Sequence, residues 1–134
     1  MSSWPLNGLK VLDLGQYIAG PATAAMLADQ GAEVIRIDPP GGPRWKSPAM
    51  EALNRRKKAI LLDLKSDADL ETARRLVAAA DVLIENFRPG VMTRLGLGWQ
   101  ACDKINPRLV YVSLPGFAST DPERASIVRH HTFR

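Results

Sequence analysis

"GLKVLDLGQYIAGPATAAMLADQGAEVIRID", residues Gly8 to Asp38, is the stretch on which the fold turns. Gly8–Gly15 is a short apolar run bounded by glycines and reads as a strand. Gly20-Pro21 then opens the alanine-rich segment "PATAAMLADQ", apolar at Ala22, Ala25 and Met26. Proline suits the first position of a helix, and Gly31 is the expected stop. "AEVIRID" follows as a second strand ending at Asp38. A strand, a helix and a strand in so short a span make a βαβ unit, and a helical crossover returns the second strand parallel to the first.

The same alternation continues outward. "PPGGPRWKSP" is too rich in proline and glycine to join a sheet and reads as a loop. In "NRRKKAILLDLK" a basic cluster leads into a third strand, Ala59 to Leu64. Ser66 caps the next helix, with Asp67 and Asp69 in its first turn and Leu70, Ala73, Val77 and Ala80 on one face. Ser66 and Asp69 have the capping-box spacing. "DVLIENF" is a fourth strand, followed by a Pro89-Gly90 corner, a helical turn to Leu95, and a helix near Trp99–Ile105 that Asn106-Pro107 stops. The fifth strand is Leu109–Leu114, before a loop at Pro115-Gly116. Most of these strands lack alternation of period two, which marks a parallel sheet covered on both faces. The expected fold is therefore α/β, an open, mostly parallel, doubly wound sheet of Rossmann-like type. In such sheets ligands lie beyond the carboxyl ends of the strands.

Composition narrows the function. The 134 residues fit one domain with a real core. A formal charge of +4 suits an anionic small ligand and falls short of the basic stripe of a nucleic-acid binder, so no nucleic-acid partner is expected. No apolar run approaches the length of a membrane span, and "MSSWPLNG" lacks the basic and apolar regions of a secretory signal. Cys102 is the single cysteine, which excludes an internal disulfide and agrees with a cytoplasmic location. It reads as a small buried hydrophobe. His130 and His131 are adjacent, project in different directions, and form a poor metal pair, so no metal site is expected.

The strand exits collect unusual residues. The first exit carries Ile18-Ala19-Gly20-Pro21, small residues at a helix N-terminus where an anion can approach. The third carries Lys65 beside the capped helix, and the fourth carries Asn86, Phe87, Arg88 and, past the corner, Arg94. A ligand with several phosphates and a flat base uses all of these: arginine for phosphate, Phe87 for stacking, Asn86 for a base or amide edge. Singly, each has a plainer explanation. Phe87 alone is more often core packing, and Arg55–Lys58 is more often a solvated loop than a contact surface. Co-location carries the case. A dinucleotide site fails on its fingerprint: Asp38 stands where a ribose-binding acid belongs, but "GQYIAGP" spaces its glycines five apart where G-x-G-x-x-G is needed.

These blocks resemble family III coenzyme A transferases, the group that includes formyl-CoA transferase, carnitine CoA-transferase and α-methylacyl-CoA racemase. The resemblance rests on "LNGLKVLDLGQYIAGPATAAMLADQGAEVIRID", on the Asn-x-x-Lys segment in "NRRKKAILLDLKS", and on "ADVLIENFRPGVMTRLGLGWQACDKINPRLVYVSLPGF", and runs from about Leu6 to Phe117. It implies that coenzyme A lies against Ile18, Ala19, Leu62, Lys65, Asn86, Phe87 and Arg88, with Arg94 on its phosphates. It implies acyl-CoA and carboxylic acid substrates, no membrane, and an interlocked homodimer. Pro39 and Pro115 depart from members that carry a basic residue there. The family's aspartate nucleophile lies beyond "VSLPGF", and Asp121 comes too early to replace it, so no catalytic residue is assigned. Residues 1–117 are thus expected to form a CoA-binding α/β domain, the N-terminal part of a larger transferase fold. The tail 118–134, unlike the family after about Arg124, is expected to be disordered or aberrant, the mark of a truncation or frameshift that leaves the chain without transferase activity alone. Two alternatives stay open: a racemase-like fragment, and a non-catalytic CoA- or nucleotide-binding module.

Overall fold

In the computed structural model, which describes residues 3–116, the opening unit folds as its alternation requires. Strand β1 (Lys10–Asp13) leads through α1 (Ala19–Asp29) to β2 (Glu33–Asp38). After them come α2 (Pro48–Leu53), β3 (Lys57–Leu61), α3 (Asp67–Ala79), β4 (Val82–Glu85), α4 (Val91–Arg94), α5 (Trp99–Ile105) and β5 (Val110–Ser113). The strands form one open sheet in the order β3-β2-β1-β4-β5. Every pairing is parallel, with Leu12 opposite both Ile35 and Leu83.

Neighbouring residues of each central strand feed different cores, which is why period two was missing. Val11, Val34 and Ile84 join Ala24 and Ala28 of α1 on one face. Leu12, Ile37 and Leu83 join Ala73 and Val77 of α3, with Leu97 and Cys102, on the other. The expected α3 stripe is correct: Ala73, Val77 and Ala80 are buried, and Leu70 packs beside them.

Several local expectations change. Helix α1 packs through Ala24, Ala25 and Ala28, and Met26 is 64% exposed. It also starts at Ala19, so Pro21 is its third residue. Strand β3 is Lys57–Leu61, not Ala59–Leu64, because its register against β2 ends at Asp38–Leu61 and leaves later residues without a strand partner. Ser66 occupies the N-cap of α3 but its side chain makes no cap bond. The reciprocal box does not close either: the Ser66 N–H goes to the Asp63 carbonyl at 2.8 Å, and the Asp69 carboxylate accepts the N–H of Asp63 at 2.8 Å. The stretch read as a loop contains the start of α2, with Pro48 at N1 and the Ser47 hydroxyl accepting the N–H of Met50 at 3.2 Å. Among the described residues no helix is long and apolar enough to cross a membrane. Phe117, Asp121, Arg124, His130, His131 and the rest of the tail lie outside the described residues.

Cys102 is the buried hydrophobe expected, wholly enclosed, with its thiol 3.4 Å from the Leu97 carbonyl oxygen. Burial pushes that thiol up to about 11. A thiol held protonated in the folded chain contributes stability that is complete below its unfolded value of 9.0 and is lost as pH climbs to about 11. At about 1.4 kcal/mol per unit, that loss is about 2–3 kcal/mol. Tyr111, raised by its burial and then by the Glu85 carboxylate, acts in the same direction. Cys102→Ala is therefore expected to flatten the fall in urea-unfolding free energy between pH 9 and 11; a slope unchanged from wild type contradicts it.

Candidate functional site

Parallel strands put all five carboxyl ends on one edge, and strand order then picks the place along it. From β1 the chain crosses to β2 on one side, and from β4 it crosses to β5 on the other, so a crevice opens between the β1 and β4 exits. Two glycines shape the β1 exit. A Cβ on Gly20 would lie 2.5 Å from the Cα of Gly15, and one on Gly15 would lie 2.6 Å from the Cα of Gly20. The five-residue spacing that failed as a dinucleotide fingerprint thus closes a tight loop, backbone against backbone. Within it Tyr17 takes φ 59°, a left-handed conformation rare for a bulky side chain. Its ring stacks on Trp45 of the β2–α2 loop, with centroids 6.2 Å apart.

Asn86 closes the crevice from the β4 side. Its Oδ1 accepts the Gln16 N–H at 2.6 Å, and its Nδ2 donates to the Gln16 carbonyl at 2.8 Å. Its amide thus ties the two exit loops together, a use distinct from the base-edge contact expected of it.

Three buried carboxylates lie along this edge, one at the end of each central strand: Asp38 of β2, Asp13 of β1 and Glu85 of β4. Asp38 is paired with Arg36 at 2.7 Å, which removes it from any ribose-binding role. Glu85 turns the chain out of β4 by accepting the Phe87 N–H at 2.9 Å. Asp13 does the same for β1, accepting the Gly15 N–H at 2.8 Å, while its other oxygen meets Lys57 Nζ at 2.8 Å. Burial pulls the Lys57 ammonium below its ordinary value, and the Asp13 carboxylate opposes that pull. The rest of the basic run is also engaged within the chain. Arg55 pairs with Asp29, Lys58 with Glu33, and Arg56 lies 5.7 Å over the Trp4 ring.

The expected contact residues divide into groups. Ile18 and Ala19 are exposed at the β1 exit beside Asn86, with Ile18 54% exposed. Lys65, Arg88 and Arg94 are exposed and, among the described residues, carry no ion pair. Leu62 is buried in the core, so only its backbone faces the edge, and Phe87 is half-buried against the same core. These residues do not form one tight cluster. The β3 exit holding Lys65 stands three strand spacings from β4, roughly 14 Å along the edge. Sequence reasoning missed the Tyr17–Trp45 stack and the burial of Lys57. The first joins two loops far apart in the chain; the second was hidden in a basic run that resembles solvated surface.

The sequence profile of CoA-transferase family III matches residues 6–128. The chain is 54% identical over 117 residues to a CoA-transferase/lyase from a Marinomonas species, an alignment covering 87% of this chain and 14% of that protein. It is 43% identical over 128 residues to an acetyl-CoA:oxalate CoA-transferase from Acetobacter aceti, covering 88% of this chain and 33% of that one. The chain thus spans about a third or less of these relatives. Among solved structures, a CaiB/BaiF family protein from Brucella suis superposes with a TM-score of 0.85 at 39% identity, over 91% of this chain and 36% of that one. A hypothetical protein from Mycobacterium tuberculosis superposes with a TM-score of 0.86 at 38% identity, over 92% and 37%.

Proposed function

The chain belongs to CoA-transferase family III, and from that premise we propose that it binds coenzyme A or its acyl thioesters along the carboxyl edge of the sheet. The observation that carries this is the placement of three exposed cations that carry no ion pair among the described residues, Lys65 after β3, Arg88 after β4 and Arg94 at the end of α4, on an edge whose β3 and β4 exits stand roughly 14 Å apart. A small anion touches one such group. A long ligand with a pyrophosphate and a further phosphate reaches several, and arginine suits each phosphate by paired N–H donors. Ile18 and Ala19 line the crevice where Asn86 holds it in shape, Phe87 offers a ring edge, and Leu62 contributes backbone. The whole protein transfers CoA between carboxylic acids through an aspartyl intermediate, as a cytoplasmic homodimer; the described residues supply the CoA handle.

Calorimetry tests this with coenzyme A, 3′-dephospho-CoA and a short DNA duplex. The wild-type chain is expected to prefer coenzyme A to its dephospho form at least fivefold, and Arg94→Ala to weaken coenzyme A about tenfold, the scale of one charge-assisted contact. Affinities for coenzyme A and its dephospho form that agree within twofold overturn the assignment. So does tighter, steeply salt-dependent binding of the duplex.

A further inference from the structure

Lys57 stands on β3, separated from the crevice by β2 and β1. Its ammonium nevertheless reaches under β2 into the base of the β1 exit, where its side chain is 1% exposed. There it donates to three oxygens: Asp13 Oδ2 at 2.8 Å, the Pro21 carbonyl at 2.8 Å and Asn54 Oδ1 at 3.1 Å. Three acceptors saturate a lysine ammonium, so none of its donors is left for a ligand. Two of the three border the Gly15–Gly20 loop from opposite ends. Asp13 precedes the loop and holds the Gly15 N–H; Pro21 follows it in the first turn of α1. The third, Asn54, is the C-cap of α2, the helix that follows the Trp45 loop.

We propose that Lys57 is a positioning residue for the ligand loop: without touching a ligand, it clamps both ends of residues 15–20 and so presents Ile18 and Ala19 to the crevice. The identity of the ligand rests on the coenzyme A assignment; the clamp itself does not. A spacer of two residues between Asn54 and Lys57 serves this purpose, because the turn at Asn54 then lets its amide meet the ammonium it helps to orient.

The test uses the 134-residue chain and the double variant Asp13→Asn/Lys57→Met, which removes the buried charges together and keeps an acceptor for the Gly15 N–H. Amide exchange and coenzyme A calorimetry are read side by side. Expected are exchange at Gly15 and Gln16 at least tenfold faster than wild type, β4 amides unchanged, and coenzyme A bound about tenfold more weakly. Wild-type exchange in the loop overturns the proposal. So does a loosened loop with unaltered affinity, and so does equal acceleration in β4, which marks a general structural role. Should the double variant not fold, Asn54→Ala carries the same readouts, with about threefold changes expected, and wild-type values for both overturn the proposal. If the wild-type chain itself binds no coenzyme A, the ligand assignment fails, while the loop-to-β4 exchange ratio still decides the clamp.

Discussion

Lys57→Met is expected to destabilise the chain by about 3–5 kcal/mol, the loss typical when one partner of a buried ion pair is removed. The size comes from what remains behind. Asp13 is wholly enclosed and is left without its cationic partner, while the Pro21 carbonyl loses a donor. Water cannot screen this site, so the loss should vary little with salt. Lys58→Met is the internal contrast one residue away. Lys58 pairs with Glu33 on the surface, its side chain 73% exposed, and that change should cost under about 0.5 kcal/mol. Urea titrations of both variants check the pair, and a Lys57→Met loss below about 1 kcal/mol would mean that the buried pair is energetically idle. The Asp13→Asn/Lys57→Met double variant should recover much of the loss, since it strands no charge. Alkaline behaviour gives a second check. The folded chain releases the Lys57 proton more readily than the unfolded one, so this group adds stability as pH rises towards the unfolded value of 10.5. That gain partly offsets the Cys102 loss, and in Lys57→Met the alkaline decline should be steeper.

Gly20→Ala is the second large effect, and here local and long-range rules disagree in sign. Gly20 is the second residue of α1, with ordinary helical freedom, and helix propensity alone makes alanine there a gain of up to about 1 kcal/mol. The added methyl would stand 2.5 Å from the Gly15 Cα and 3.2 Å from Asn86 Oδ1. The first obstacle is backbone, which cannot rotate away as a side chain can. The loop must open, pulling Gln16 from Asn86 and widening the crevice. The expected outcome is a net loss of about 3 kcal/mol and coenzyme A affinity reduced more than tenfold. Thermal unfolding and calorimetry measure both, and a Gly20→Ala chain as stable as wild type would refute the close approach. Gly41→Ala is the comparison: nothing lies within 4 Å of its added methyl, so only the cost of its left-handed backbone, φ 91°, applies.

Gly20 marks the boundary between what neighbouring residues determine and what a tertiary contact decides. Its value to the fold was visible as a helix start. Its contact with Gly15 depends on a loop geometry that neither residue announces. Asn86 follows the same pattern. Its position at the β4 exit was legible from the apolar run before it, but its two bonds to Gln16 connect residues 70 apart in the chain. Lys57 shows the widest gap, since "NRRKK" has the composition of a solvated run, and only tertiary packing brings Asp13 of β1 and Pro21 of α1 to one of its five side chains.

Periodicity, helix stops and the absence of strand alternation were sufficient for the five strands, the long helices and the parallel two-faced sheet, because these follow from interactions between residues a few positions apart and from burial on both faces. Parallel pairing also puts every strand exit on one edge, so the chain alone was enough to assign Lys65, Asn86 and Arg88 to that edge, with Arg94 just beyond it. Strand order was not available in that way, and it is strand order that opens the crevice beside Ile18 and Ala19 and sets Lys65 roughly 14 Å away. The same holds for which polar groups are buried and with whom. Asp13 and Lys57 act as one unit because three-dimensional packing excludes water from them, and exclusion of water has no signature in a single run of residues.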